Sequence, residues 1–231
     1  MVIGGIQKLT LLDYPDKTAC TIFTVGCNFA CPYCQNASLV CPPVGIQTIS
    51  IPVVFEFLKK RKGFIEGVCI SGGEPLMHND LDDFIFDIKA LGFLVKLDTN
   101  GSYPEKLKNL VSSGTIDYVA MDIKNTPEKY AQTIGLNEYD VSAVEESVSF
   151  LCSGAVPYEF RTTVVREFHT VDDLKSIAGW ITNAQKYYLQ GFANTGDILK
   201  SGHSGYNKQE MLKILCKLKD ILPVTELRGY L

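Results

Sequence analysis

From residue 18 onward, short runs rich in β-branched and aromatic residues alternate with segments whose apolar residues recur at helical spacing. Strand readings fall on residues 18–25, 65–70, 93–97, 118–121, 158–165 and 187–190. Helix readings follow at about 50–62, 81–91 and 104–114, in segments reaching Gly154, after Asp172, and at 208–222. Pro52 and Pro104 suit first helical turns, and Gly63, Gly92 and Gly114 stand where helices should stop. A chain that returns through a helix after each strand lays its strands parallel, so the pattern predicts an α/β fold. Six such units are fewer than the eight that close a barrel. The expected architecture is therefore an open, partial (β/α)6 TIM-like barrel. Residues 4–12 would add a short N-terminal hairpin, and residues 224–227 an edge strand. At 231 residues, one domain spanning 1–231 is expected.

The residues capable of chemistry are not scattered over this pattern. Cys27, Gly72, Asp98 and Asp122 each lie just past the carboxyl end of a predicted strand, and Arg161 and Gln190 lie within or at the end of later ones. In parallel α/β sheets that edge is where loops converge and ligands bind. Separate segments thus point at one pocket, beside a cleft wide enough for a large partner to insert a segment.

Composition excludes several classes of function. Apolar residues make up 46% and charged residues 21%, as in globular chains, and the net charge of −4 provides no general field for a phosphate backbone. The basic stretch at 59–62 reads as a solvated helix end. No apolar run approaches the length that spans a bilayer, and Gln7, Lys8 and Asp13 stand where a signal peptide would be apolar. A cytoplasmic protein with no nucleic-acid or membrane partner is expected. In a reducing compartment, eight cysteines with three crowded together suggest a metal site rather than disulfides.

Those three form CxxxCxxC: Cys27, Cys31 and Cys34, on the loop after the first strand. Thiolates are the usual ligands of iron–sulfur clusters, and a cubane normally takes four. Three closely spaced thiolates leave one iron free to bind a substrate, much as catalytic zinc keeps one position open. A structural zinc site completed by Cys41, Cys20 or a histidine is the alternative. Paired CxxC halves are missing, however, and His78, His169 and His203 are all distant in sequence. Cys20 and Cys69 fall in predicted strands, and Cys152 and Cys216 in apolar helical segments, where each reads as a small buried residue.

With Tyr33 before its last cysteine, the motif resembles the signature of the radical S-adenosylmethionine superfamily. The likeness extends through Ile3-Gly4-Gly5, Asp13-Tyr14-Pro15, Gly72-Gly73-Glu74-Pro75 and Asp98-Thr99-Asn100-Gly101. It continues in Met121-Asp122-Ile123-Lys124, Phe160-Arg161-Thr162-Thr163 and Glu226-Leu227-Arg228-Gly229. Together these look like the glycyl-radical-enzyme activases, above all the anaerobic ribonucleoside-triphosphate reductase activating proteins, and are also similar to pyruvate formate-lyase activating enzyme.

The resemblance implies a 4Fe-4S cluster on Cys27, Cys31 and Cys34, and reductive cleavage of S-adenosylmethionine to a 5′-deoxyadenosyl radical. That radical would install a glycyl radical on a partner enzyme of the anaerobic ribonucleotide reductase or pyruvate formate-lyase type. The electron would come from a flavodoxin- or ferredoxin-type donor. Gly72, Gly73 and Glu74 would hold the methionine amino group, the glycines by close backbone approach and Glu74 as acceptor. Tyr33 would pack against adenine. Lys124 and Arg161 would meet the carboxylate or ribose, with Asn100, Ile123 and Gln190 in the same pocket. Asp98, Thr99 and Asp122 would hold a monovalent cation against the methionine carboxylate.

The chain also departs from its relatives. Gln35 replaces the histidine that follows the last cluster cysteine, Gln190 replaces a histidine of pyruvate formate-lyase activating enzyme, and residues 192–196 lack an arginine and a proline common in the reductase activators. Two other readings stay open: the same radical chemistry on a small molecule or peptide, and a non-catalytic iron–sulfur or zinc-binding module.

Overall fold

The computed structural model describes residues 1–194 and 196–229. Its frame is a sheet of eight strands lying side by side in chain order. These are β1 (Ile3–Thr10), β2 (Ala19–Thr24), β3 (Gly67–Gly72), β4 (Leu94–Thr99), β5 (Tyr118–Asp122), β6 (Tyr158–Val164), β7 (Tyr187–Gly191) and β8 (Thr225–Arg228). β1 pairs antiparallel to β2, and every later neighbour is parallel. The six expected core strands are β2 to β7, the N-terminal hairpin is β1 with β2, and the expected edge strand is β8. β1 and β8 are the two edges, so the sheet is open at that seam.

The helices are α1 (Ala37–Val40), α2 (Ile51–Arg61), α3 (Leu81–Ala90), α4 (Pro104–Ser112), α5 (Tyr130–Thr133), α6 (Ser142–Cys152), α7 (Val171–Trp180) and α8 (Lys208–Lys219). α2 starts after Ser50 with a proline in its first turn, and α4 starts on Pro104 itself. α7 begins before the expected point because Thr170 and Asp173 form a reciprocal capping box; Asn207 and Glu210 form another at α8. The lysines and arginine at 59–62 are exposed at the end of α2, as a solvated helix end should be. Among the described residues no helix is long and apolar enough to cross a membrane.

Side chains alternate between the two faces of each strand, and here the faces differ in kind. The outer face is apolar: Val68 and Ile70, Val95 and Leu97, and Tyr158 and Phe160 are buried in one core with Leu58 of α2, Ile85 of α3, Leu107 of α4 and Ile177 of α7. The inner face carries Cys69, Ser71, Lys96, Asp98, Glu159 and Arg161. A closed barrel commonly fills this space with branched aliphatic residues; this sheet fills it with charge.

Part of that charge holds the far edge. Glu159 is fully buried on β6 and takes both Arg228 Nη1 (2.6 Å) and Nη2 (3.0 Å) from β8, with Tyr118 Oη donating from β5 at 3.1 Å. The guanidinium lies 3.7 Å from the centre of the Tyr188 ring on β7. One ion pair therefore reaches across β7 and ties β8 into the sheet. Burial alone would raise the Glu159 carboxyl, but Arg228 outweighs it and holds the group below the ordinary carboxylate range.

Cysteine placement follows the expectation in part. Cys20 and Cys69 are buried, Cys152 is half-buried, and Cys216 is exposed. In α8 the buried residues are Met211, Ile214 and Leu218, a spacing that turns position 216 toward water.

Candidate active site at the carboxyl edge of the sheet

The loop after β2 is fastened at several points. Gly26 N–H donates to Leu39 O (2.8 Å), Ala30 N–H to Ile134 O (2.9 Å), and Lys200 N–H to Pro32 O (2.8 Å). Cys27, Cys31 and Cys34 line one cavity of about 380 Å³. Cys31 is buried and the other two are half-buried. Burial pushes the Cys27 thiol up to about 11 and the Cys31 thiol up to about 12, and it raises Cys34 as well. The Lys124 ammonium lowers all three, though by less. Phe29 N–H (3.3 Å) and the Asn100 amide (3.9 Å) are directed at Cys27 Sγ. Sulfur ligands in a cavity, with amide donors aimed at one of them, fit an iron–sulfur cluster. Among the described residues no three His, Cys, Asp or Glu side chains close around a single-ion position. Ligands bound to different irons of a cluster have no need to.

The turn after β3 presses against the start of this loop. A Cβ on Gly73 would lie 1.8 Å from Gly26 O, and one on Gly72 (φ +110°) would lie 2.5 Å from both Thr24 N and Thr24 O. The glycines are thus required by the protein's own backbone as well as standing in the lining of the cavity. Gly73→Ala is expected to displace the residue before Cys27, costing about 3 kcal/mol in urea unfolding and lowering the iron bound after anaerobic reconstitution. Unchanged stability and iron content would show that the turn has room to spare.

Glu74 is fully buried, and its carboxylate is already engaged. It accepts Leu76 N–H (3.1 Å), Thr99 Oγ1–H (2.9 Å) and Asn100 N–H (2.7 Å), joining the turn after β3 to the turn after β4. Burial nevertheless pushes its pKa up to about 7. The folded value lies above the unfolded one, so this group's contribution to stability falls as pH rises from about 4.5 to 7 and stays low above that. An ammonium-bearing ligand that meets Glu74 favours the ionised form. Its affinity should rise about tenfold between pH 6 and pH 8, and Glu74→Gln should flatten the profile. Equilibrium dialysis of S-adenosylmethionine at both pH values measures this.

Deeper in, Arg161 bridges two carboxylates. Its Nε donates to Asp122 Oδ1 (2.9 Å) and its Nη1 to Asp98 Oδ2 (3.2 Å). Lys124 Nζ occupies the other Asp122 oxygen (2.9 Å). Ser71 Oγ shares Asp98 Oδ2 (2.9 Å), and Lys96 Nζ pairs with Asp98 Oδ1. Burial would raise both carboxyls, but Arg161 with Lys96 at Asp98, and Arg161 with Lys124 at Asp122, hold them below their ordinary values. Three cations, Lys96, Arg161 and Lys124, are gathered on these two carboxylates, and Arg161 and Lys124 line the cavity, where they can meet an anionic ligand group. The Thr99 hydroxyl belongs to Glu74 and accepts Gly101 N–H (3.1 Å). Asp98, Thr99 and Asp122, the three residues expected at a monovalent cation, all line this cavity, and their side-chain oxygens are engaged by protein donors or, at Thr99, by Glu74.

The remaining expected contacts divide. Tyr33 is buried against Phe168 (ring centres 5.4 Å apart), His169 and Phe192, and lines the cavity. Gln35 donates its side-chain amide to Ala193 O, fastening the cysteine loop to the segment after β7; of residues 192–196, Thr195 lies outside the described residues. Gln190 lines the same cavity, opposite Thr163 in the sheet register. Ile123 does not reach it. One residue past the inward-facing Asp122, its side chain lies in the core, while its N–H and C=O are taken by Arg161 O and Thr162 Oγ1. Cys41 is exposed at the end of α1, outside the cavity lining.

Two features were missed by sequence reasoning. Asp13, Ser71 and Thr163 also line the cavity. His169, though distant in sequence from the cysteines, is fully buried beside Tyr33. It accepts Val165 N–H at Nδ1 (3.1 Å), so its Nε2–H donates to Lys124 O (2.7 Å) and holds that turn in place.

Residues 21–181 match the family model described as Radical SAM superfamily, and the chain belongs to that superfamily. It is 33% identical, over 83% of its length and 80% of the relative's, to a Methanocaldococcus jannaschii protein whose name places it among the glycyl-radical enzyme activating enzymes. It is also 33% identical to the pyruvate formate-lyase-activating enzyme of Listeria monocytogenes, over 56% of this chain and 57% of that one. Among solved structures, Streptococcus suis SuiB is similar in fold, with a TM-score of 0.71 at 12% identity over 90% of this chain and 48% of that one.

Proposed function

We propose that this protein cleaves S-adenosylmethionine reductively to a 5′-deoxyadenosyl radical and uses it to install a glycyl radical on a partner enzyme of the anaerobic ribonucleotide reductase or pyruvate formate-lyase type. The observation that carries this reading is the meeting of three thiols, Glu74 and the Arg161–Lys124 cations around one cavity. Cys27, Cys31 and Cys34 would hold a 4Fe-4S cluster which, when bound, supplies the electron and an open iron for the cofactor's amino and carboxylate groups. The chain's own residues orient the cofactor. Glu74 offers a carboxylate toward the ammonium, Arg161 and Lys124 offer cations toward the carboxylate, and the face of Tyr33 suits adenine.

A route for a partner supports the same reading. Between the turn after β1 and helix α8 lies a second cavity of about 600 Å³, walled by Leu12, Leu212, Leu215 and Leu227. It shares Asp13, Arg161 and Gln190 with the first, so a peptide segment entering the open seam would arrive at the cofactor. Reduction would come from a flavodoxin- or ferredoxin-type donor in the cytoplasm.

The test mixes the anaerobically reconstituted, reduced protein and S-adenosylmethionine with each candidate glycyl-radical enzyme, and records electron paramagnetic resonance spectra. A glycyl doublet with one candidate is expected. Deoxyadenosine formation without a doublet in any of them would move the assignment to a small-molecule or peptide substrate.

A further inference from the structure

Lys96 has no obvious reason to be where it is. It sits mid-strand on β4, 1% exposed, opposite Cys69 of β3 in the sheet register. Lysine is almost never fully buried unless paired, because removing an ammonium from water is strongly unfavourable. The partners here are Asp98 Oδ1 and, at 3.8 Å, Cys69 Sγ. Burial opposes the charge of Lys96, but Asp98 restores it and holds the group protonated.

We infer that Lys96 takes the place of the monovalent metal ion that the family resemblance implies at Asp98, so that the carboxylate clamp is built from side-chain cations alone. The inference rests on the function proposed above, in which this corner of the cavity receives the methionine carboxylate. Every carboxylate oxygen that would coordinate the ion already has a donor. Lys96 holds Asp98 Oδ1, Ser71 and Arg161 hold Asp98 Oδ2, Arg161 holds Asp122 Oδ1, and Lys124 holds Asp122 Oδ2. The third expected ligand, the Thr99 hydroxyl, is turned to Glu74. A metal ion would also add its charge beside three cations already gathered on Asp98 and Asp122, in a partly buried site.

Lys96 does not line the cavity, so it is a positioning residue. It fixes Asp98, Asp98 and Asp122 fix the plane of Arg161, and the guanidinium Nη2 is left without a protein partner among the described residues. A compact ammonium two residues before the carboxylate, on the same face of β4, does what a bound ion would do in front of it. It keeps Asp98 ionised and stationary.

The experiment measures S-adenosylmethionine affinity of the reconstituted enzyme in sodium, potassium and tetramethylammonium chloride at equal ionic strength. Wild-type affinity is expected to be the same in all three. Lys96→Met should bind at least about tenfold more weakly in tetramethylammonium and recover in sodium or potassium, because the emptied position can then accept an ion. A purely structural lysine would not produce that recovery, so uniform weakening in all three salts would overturn the inference. A wild-type enzyme that loses affinity in tetramethylammonium would overturn it too.

Thallium-205 resonance decides the question independently of cofactor binding and of the variant's folding. The wild-type protein should cause no saturable broadening, and saturable broadening would place an ion there. Absence of cluster and cofactor binding in every salt would sink the functional reading alone, and the thallium measurement would still judge the ion.

Discussion

Cys31→Ala should yield a folded protein that retains no 4Fe-4S cluster after anaerobic reconstitution and forms no 5′-deoxyadenosine above background. The effect on chemistry and the effect on the fold should differ widely. Cys31 is buried, and removing one sulfur from a loop held by Ala30, Pro32 and Cys34 backbone bonds deletes a single atom's packing, about 1–2 kcal/mol. The cluster loses one of only three closely spaced thiolates, and turnover should fall about 1,000-fold or more.

The buried thiols add a signature of their own. With Cys27 at about 11 and Cys31 at about 12, both are protonated in the metal-free protein at neutral pH, so loading must expel protons and should become more favourable as pH rises. Iron and acid-labile sulfide analysis, with chromatography of dithionite-reduced reactions, reads both effects. Undiminished deoxyadenosine from the alanine protein would remove the cluster from this loop.

The parts of the fold that depend on local pattern were legible in the sequence, down to the prolines that open α2 and α4. The cysteine triplet and the polar residues at successive strand ends were legible as well, because a parallel sheet gathers its carboxyl ends without any knowledge of packing. What escaped depends on contacts between distant strands. Lys96 and Glu159 stand out in sequence as charges within strand runs. Their partners, Asp98 on one side and Arg228 on the other, are set by register and by closure toward β8. That the Gly26 carbonyl lies against Gly73 is likewise invisible locally, since the two residues meet only when β2 and β3 pair. Ile123 is a different kind of miss: once Asp122 faces inward, strand alternation already directs its neighbour outward.

Arg161→Met should be the most destabilising change in the cavity, and the reason is the pair of carboxylates it leaves behind. Asp98 and Asp122 lie on neighbouring strands, and the guanidinium is the group that touches both. Without it each keeps one lysine, but two anions on neighbouring strands then face each other in a partly buried site. Breaking such a buried bridge costs about 3–5 kcal/mol, which for a chain of this size lowers the melting temperature on the order of 10 °C.

Two further variants separate charge from shape. Arg161→Lys should recover little, since an ammonium cannot hold two carboxylates in the fixed geometry of a guanidinium fork. Combining Arg161→Met with Asp122→Asn should restore much of the lost stability by removing one of the stranded charges, while leaving S-adenosylmethionine affinity weakened on the order of 100-fold. Thermal unfolding and equilibrium dialysis on the same four proteins give both readouts. If the double variant melted as low as the single one, packing around the guanidinium, and not its bridging of Asp98 to Asp122, would be what stabilises the site.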